Sequence, residues 1–272
     1  MMDKFTTINN STVHHGNHNK RAYITSFCDD SGESTIKAVE GMAEENNYEK
    51  IVAKINSNSR VLFENCGYNI EASFPTSEDR YFFMSKFLDD ERAECASSKS
   101  IEKVINKAKE YTLSEIECNN HNISKLSKEH IPDIIKIYDN VFATYPFPIH
   151  DKTFISNSMD SDTHYYGVFN DSNLVAVSSA EICRKSRTSE MTDFATLPEY
   201  RGMGFASSLL MAMEGDLKGS EISTFFTIAR AVSFGMNITF SKAGYSFGGT
   251  LIKNTNISGN IESMNVWFKQ NA

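Results

Sequence analysis

The chain has 272 residues, of which 40% are hydrophobic and 23% charged, with a formal net charge of −8. That balance fits a soluble globular protein of one large domain or two of ~100–200 residues. It argues against nucleic acid as a partner, because neutralising phosphates needs clustered Lys and Arg, and no apolar run approaches the ~18 residues of a membrane span. Residues 1–10 are polar and lack an apolar signal core, so a cytoplasmic location is expected. Cys28, Cys66, Cys95, Cys118 and Cys183 are scattered without CxxC spacing, which suits reduced thiols that serve as small buried groups.

In chain order, the first feature is a patch of His14, His15 and His18. No Cys or carboxylate lies nearby at ligand spacing, so a polar turn or a substrate-facing loop is expected rather than a metal site. Residues 53–68 read as strand end, helix and a Gly67-Tyr68 stop, and residues 80–87 as an aromatic strand. Residues 91–117 are charged and Lys-rich, the pattern of a solvated helical connector. A strand is expected at 122–126, followed by a helix over 129–142 with Ile131, Ile134, Ile135, Tyr138, Val141 and Phe142 at helical spacing. Pro132 falls in its first turn, where proline is tolerated. A short helix over 151–159 precedes strands at 164–169 and 174–182, joined by the turn at 170–173. Next come a strand at 190–196, a helix at 206–218, a strand at 222–229 and a helix at 232–243 ended by Gly244. Strands at 245–251 and 263–268 close the chain, with an Asn/Gly/Ser-rich loop over 254–262 between them. The last strand-helix-Gly-Tyr-strand run, 229–245 followed by 264–269, echoes 53–68 followed by 80–87.

The most informative stretch is 198–206, Pro-Glu-Tyr-Arg-Gly-Met-Gly-Phe-Ala. A Gly-rich turn that opens a helix points several backbone N–H groups one way, and the helix dipole adds positive charge there. Arg201 can add a charged donor to such an anion cradle. The spacing Arg201-x-x-Gly204-x-Ala206 resembles the acetyl-CoA motif of the GCN5-related N-acetyltransferases, the GNAT family. That resemblance implies an α/β GNAT fold, a central mixed twisted sheet flanked by helices. It also implies that Arg201, Gly202, Met203, Gly204, Phe205 and Ala206 bind the pyrophosphate of acetyl-CoA, the cosubstrate. In the family, two strands splay near the positions of Thr196 and Leu197, and free N–H groups there bind the thioester carbonyl and pantetheine. Asn237, on the last helix, is a further candidate coenzyme contact.

An amine must be uncharged to attack a thioester. A lysine-type amine has a pKa of about 10.4, so its deprotonation at pH 7 costs roughly 4–5 kcal/mol, and a nearby carboxylate can take the proton. Glu190 and Asp193 both lie on the strand before the turn, with opposite parity, so they are expected on opposite faces of the sheet. Glu190 is favoured as the base and Asp193 as structural. Where many family members carry a tyrosine acid, this chain has Phe240; Tyr245, Tyr165 or water are the substitutes in view. A thiol pKa near 8.5 makes the thiolate a tolerable leaving group without that acid.

A narrower resemblance is to the β-lysine N6-acetyltransferases within that superfamily, enzymes that make the compatible solute Nε-acetyl-β-lysine. It rests on His15-Gly16 with Asn19, Arg21 and Tyr23, and on residues 83–88, 190–202, 227–231, 235–240, 248–258 and 261–267. It implies β-lysine as the acceptor and a lysine 2,3-aminomutase as its supplier. The acceptor's carboxylate needs a cation such as Arg230 or Arg21. Asn254, Asn256 and Glu262, in the polar run near the C-terminus, offer donors and acceptors for its inner ammonium, or belong simply to a connecting loop. The expected organisation is a partial, degenerate GNAT-like half domain at 1–95 without a coenzyme turn, a helical linker at 96–119 and the catalytic domain at 120–272. Other readings are acetylation of a different small amine or amino acid, and a coenzyme-A-binding module without catalysis. The oligomeric state is open, a homodimer included.

Overall fold

The computed structural model describes residues 3–112 and 121–271. Cys118 and the end of the expected linker lie outside the described residues. Short alternating runs near the N-terminus make three antiparallel strands, β1 (Lys4–Ile8), β2 (Ser11–Gly16) and β3 (Arg21–Ser26). Helix α1 (Gly32–Glu45) turns Ile36, Val39 and Ala43 inward at i, i+3 and i+7, and β4 (Lys50–Ile55) then pairs parallel with β3. Helix α2 (Ser57–Asn65) starts where the Asn56 side chain accepts from the N–H groups of Asn58 and Ser59. Strands β5 (Asn69–Pro75) and β6 (Arg80–Phe87) complete this run.

The connector holds α3 (Asp90–Ala93) and the amphipathic α4 (Ser98–Lys109), which buries Ile101, Val104 and Ala108. Then follow β7 (Asn122–Lys125), α5 (Ile131–Val141), α6 (Lys152–Asp160), β8 (Thr163–Asn170), β9 (Asn173–Cys183), β10 (Thr188–Thr196), α7 (Phe205–Asp216), β11 (Thr224–Arg230), α8 (Phe234–Lys242), β12 (Ser246–Ile257) and β13 (Asn260–Gln270). This is the order expected from the sequence for 122–268. The last two strands are longer than expected, so Asn254, Asn256 and Glu262 sit in sheet rather than in a loop, and only Ser258–Gly259 turn the chain. The His patch also differs: His14 and His15 are buried in β2, and a His14 ring lies between Phe5 and Phe147.

The strands of the described residues join one 13-stranded sheet in the order β1-β2-β3-β4-β6-β5-β12-β13-β11-β10-β9-β8-β7. Read outward from the β5–β12 seam, the two sides repeat the same pattern. The run β1-β2-β3-α1-β4-α2-β5-β6 matches β8-β9-β10-α7-β11-α8-β12-β13 element for element. The seam is a single register pair, Ala72 with Gly249. A Cβ at Gly249 would stand 2.2 Å from the Glu71 carbonyl oxygen, and its φ of +138° also disfavours a side chain.

Polar groups bind the far end of β12 to the N-terminal strands. Lys50 Nζ, fully buried, donates to Glu71 and to the Ile252 carbonyl, each at 2.7 Å. Arg92 donates to the Lys253 carbonyl, Arg21 to that of Asn254, and Asn256 N–H to the Asn19 side chain. One apolar core lies under α1 and α2, another under α7 and α8. A third joins α5 and α6 to strands of both sides, including Tyr23, Phe83 and Phe226. That third core frames the site.

Candidate active site

Strands β10 and β11 pair only from Thr188–Glu190 to Thr224–Phe226 and then part, while β11 stays paired with β13 through Arg230. The parting has a local cause. Asp193 adopts φ +56°, and the pairing of β10 with β9 slips between Thr192 and Ala195, a β-bulge. A cavity of about 790 Å³ opens into the gap. Thr227, Ile228, Ala229 and Arg230 line it from β11, and Glu190, Thr192, Asp193 and Thr196 from β10.

The Gly-rich turn stands at one mouth of this cavity. Arg201, Gly202, Gly204, Phe205, Ala206 and Ser207 line it. Gly202 and Gly204 have φ of +83° and +80°, and the space where a Gly202 side chain would stand is open. No side chain caps α7, whose first N–H groups lack helical partners. An uncapped helix start, two left-handed glycines and an adjacent guanidinium suit a pyrophosphate. Arg201 Nε donates to the Thr196 carbonyl at 3.3 Å, which ties the turn to the end of β10. Met203 is exposed and lies off the cavity, with its carbonyl near His121, and Leu197 packs between two cores.

The bulge overturns the expectation that Glu190 and Asp193 face opposite sides. The extra residue resets the alternation, and both carboxylates line the cavity. Asp193 is held: Tyr145 Oη donates to it at 2.5 Å and Ser179 Oγ at 2.6 Å. Burial raises its carboxyl, and these hydrogen bonds oppose the rise. Glu190 has no side-chain hydrogen bond among the described residues, and burial raises it well above the usual carboxylate range. Lys54 opposes that rise.

Further wall residues had no motif to announce them. Glu181, Lys54, Thr25, Tyr145 and Phe147 all face the cavity, beside Tyr23. Glu181 is the antiparallel partner of Glu190 on β9, a relation legible only once the hairpin register is known. Arg21 is 2% exposed and donates to the Asn254 carbonyl at 2.6 Å and to Thr255 Oγ1 at 3.1 Å. It has no carboxylate partner among the described residues, and its Nε is unpartnered, as is Asn254 Oδ1; both residues line the cavity.

Other expected site residues are engaged elsewhere. Arg230 lines the cavity but is held by Glu262 through two bonds at 2.6 and 2.8 Å, and Glu262 points to that pair. Asn256 bonds His18, Asn19 and Thr144, binding β12 to the N-terminal strands. Asn237 is fully buried: its amide donates to the Arg230 and Ser233 carbonyls, and its oxygen accepts from Asn265 and Trp267. With its hydrogen-bonding groups occupied, Asn237 orders the start of α8 and does not line the cavity. Phe240 lines the cavity and packs edge-on against Phe194 and Tyr245. Tyr165 bonds Ser158, and Tyr245 is buried beside α7; neither lines the cavity.

The sequence profile of the Acetyltransferase (GNAT) family matches residues 132–234. The chain is 38% identical to a β-lysine N(6)-acetyltransferase of Methanococcus maripaludis over 98% of its own length and 99% of the relative's. The chain belongs to the GNAT acetyltransferase family. A second relative, the N-acetyltransferase YodP of Bacillus subtilis, is 31% identical over 96% of both chains. Among solved structures, an N-acetyltransferase of Staphylococcus aureus Mu50 aligns with a TM-score of 0.50 at 17% identity, covering 57% of this chain and all of that one. This GNAT acetyltransferase uses acetyl-CoA, and its uncapped turn and parted strands fit that molecule. Among the described residues no helix is long and apolar enough to cross a membrane.

Proposed function

We propose that the protein transfers the acetyl group of acetyl-CoA directly to the N6 amine of β-lysine in a ternary complex, giving Nε-acetyl-β-lysine. The observation that carries the acceptor is the charge pattern of the cavity. Among the described residues, Glu190 at the strand gap has no side-chain hydrogen bond, and the buried Arg21, without an acid partner, lies beside the unpartnered Asn254 oxygen. That pattern complements an amino acid bearing a second amine. It accords with the β-lysine enzyme to which the chain is 38% identical.

Acetyl-CoA supplies the thioester when bound. Glu190 takes the proton of the N6 ammonium, the freed amine bonds to the acyl carbon, and the C–S bond breaks. Backbone N–H groups released where β10 leaves β11 stabilise the charge that gathers on the carbonyl oxygen, each worth ~3 kcal/mol. Asp193, fixed by Tyr145 and Ser179, holds the bulge that keeps the strands apart. Arg21 binds the acceptor's carboxylate, and Asn254 Oδ1 receives its inner ammonium.

Residues 1–95 form a degenerate GNAT-like unit whose role is to wall the acceptor side through Arg21, Tyr23 and Lys54, with 96–119 as the linker and 120–272 as the catalytic domain. Two features support one coenzyme site. β3 pairs with β4 over most of its length, from Arg21 to Ile24, whereas β10 pairs with β11 over only its first third. The turn before α1 carries Asp29 and Asp30, which repel phosphate. The enzyme then works in the cytoplasm, on β-lysine supplied by a lysine 2,3-aminomutase. Steady-state acetylation of β-lysine, α-lysine, simple diamines and peptide N-termini tests it. The expected result is the highest kcat/KM with β-lysine; a higher value with another amine overturns it.

A further inference from the structure

Three carboxylates reach the cavity, and they are not equivalent. Asp193 is held by Tyr145 and Ser179. Glu181 and Glu190 form no side-chain hydrogen bond or close ion pair among the described residues. They stand opposite each other in the β9–β10 register, which places their Cβ atoms about 4.5–5.5 Å apart on one face of the sheet. Both line the cavity, surrounded by protein yet open to its space. Glu181 is exposed and Glu190 half-buried, and two carboxylates so close at the wall of one cavity do not both ionise cheaply.

The groups facing the pair favour a shared proton. Lys54 of β4 and the Asp193 carboxylate act on both glutamates with opposite sign. The other neighbours are phenols, Tyr23 on β3, Tyr138 on α5, Tyr145 after it and Tyr165 on β8, which burial keeps protonated. We propose that Glu181 is the positioning partner of the base: in the substrate-free protein the two glutamates hold one proton between them, and once that proton leaves, the Glu181 charge keeps Glu190 basic enough to accept the proton of the amine. Burial, and then the Glu190 charge, push the Glu181 carboxyl well above the usual carboxylate range. Entry of a cationic acceptor draws the shared proton off, so acceptor binding and proton release are linked. The catalytic half of this assignment rests on Glu190 being the base; the shared proton does not.

The test therefore has two arms. In the first, thermal stability of the substrate-free protein is followed from pH 5 to 8.5 for the wild type, Glu181→Gln, Glu190→Gln and the double variant. A carboxyl raised in the fold binds its proton more tightly than in the unfolded chain, so stability falls as pH rises through the window between the two values. Each single variant is expected to remove more than half of that fall, and the double variant to add little. Additive effects of the two substitutions overturn the shared proton. In the second arm, kcat with saturating substrates is measured against pH. In Glu181→Gln the rising limb is expected to move to lower pH, so that kcat at pH 6, relative to its own plateau, increases about threefold or more. A lowered rate with an unmoved limb means a merely structural role and overturns the assignment. Because the first arm needs no turnover, failure of β-lysine as a substrate leaves it intact. Should Glu181→Gln not fold, Glu181→Asp, which keeps the charge, takes its place and is expected to retain the non-additivity with Glu190→Gln.

Discussion

Glu190 and Asp193 are separated by two residues in sequence, lie in the same cavity and differ in what touches them. Asp193 is bonded by Tyr145 and Ser179, whereas Glu190 faces open space. Glu190→Gln is accordingly expected to lower kcat at neutral pH by ~10²–10⁴-fold, the usual worth of a general base. Activity should recover in part above pH 9, as the amine sheds its own proton; a steady-state pH profile measures this. Both carboxylates were legible in the sequence because they precede the Gly-rich turn on one strand. Their common orientation was not, since parity arguments assume an unbroken strand and Asp193 at φ +56° breaks it. Glu181, Lys54 and Tyr145 were also illegible. Their roles come from register and from distant strands, which leave no local mark in a single sequence.

At the scale of elements, periodicity and helix stops recovered the order from β7 to β13, because α5 has a buried stripe and Asn170, Asn173, Gly202, Gly204 and Gly244 mark turns. The expected loop at 254–262 was misread because Asn-rich segments usually turn, while here those side chains bind β12 to its neighbours. Asn256 bonds His18 and Asn19, and Arg21 takes the Asn254 carbonyl. Those contacts lie beyond the seam, where the chains approach most closely at Gly249. Gly249→Ala forces a Cβ against the Glu71 carbonyl and is expected to cost at least about 2 kcal/mol by urea denaturation. Since β12 also carries Asn254, the KM for the amine should rise more than that for acetyl-CoA.

For the molecule as a whole, the echo between 53–68 and 229–245 was a trace of something larger, a strand order that repeats outward from the seam. Much of the repeat was invisible because strands keep their pairing with little sequence in common. The buried Lys50–Glu71 pair lies on the N-terminal side and ties it to β12, Lys50 donating to the Ile252 carbonyl and the Ile252 N–H donating to Glu71. Lys50→Met strands a buried carboxylate and is expected to cost ~3–5 kcal/mol, with Lys50→Met/Glu71→Leu regaining most of it. Calorimetry should show one transition for the whole chain in both cases. The seam also sets a timetable for synthesis. β5 leaves the ribosome well before β12, and at ~5–20 residues per second the interval is roughly 10–35 s. During it the outer edge of β5 is an open template for another nascent chain. Glu71 within that strand and Pro75 at its end make the edge a poor one to extend, so the carboxylate that later accepts from the Ile252 N–H first serves as a guard.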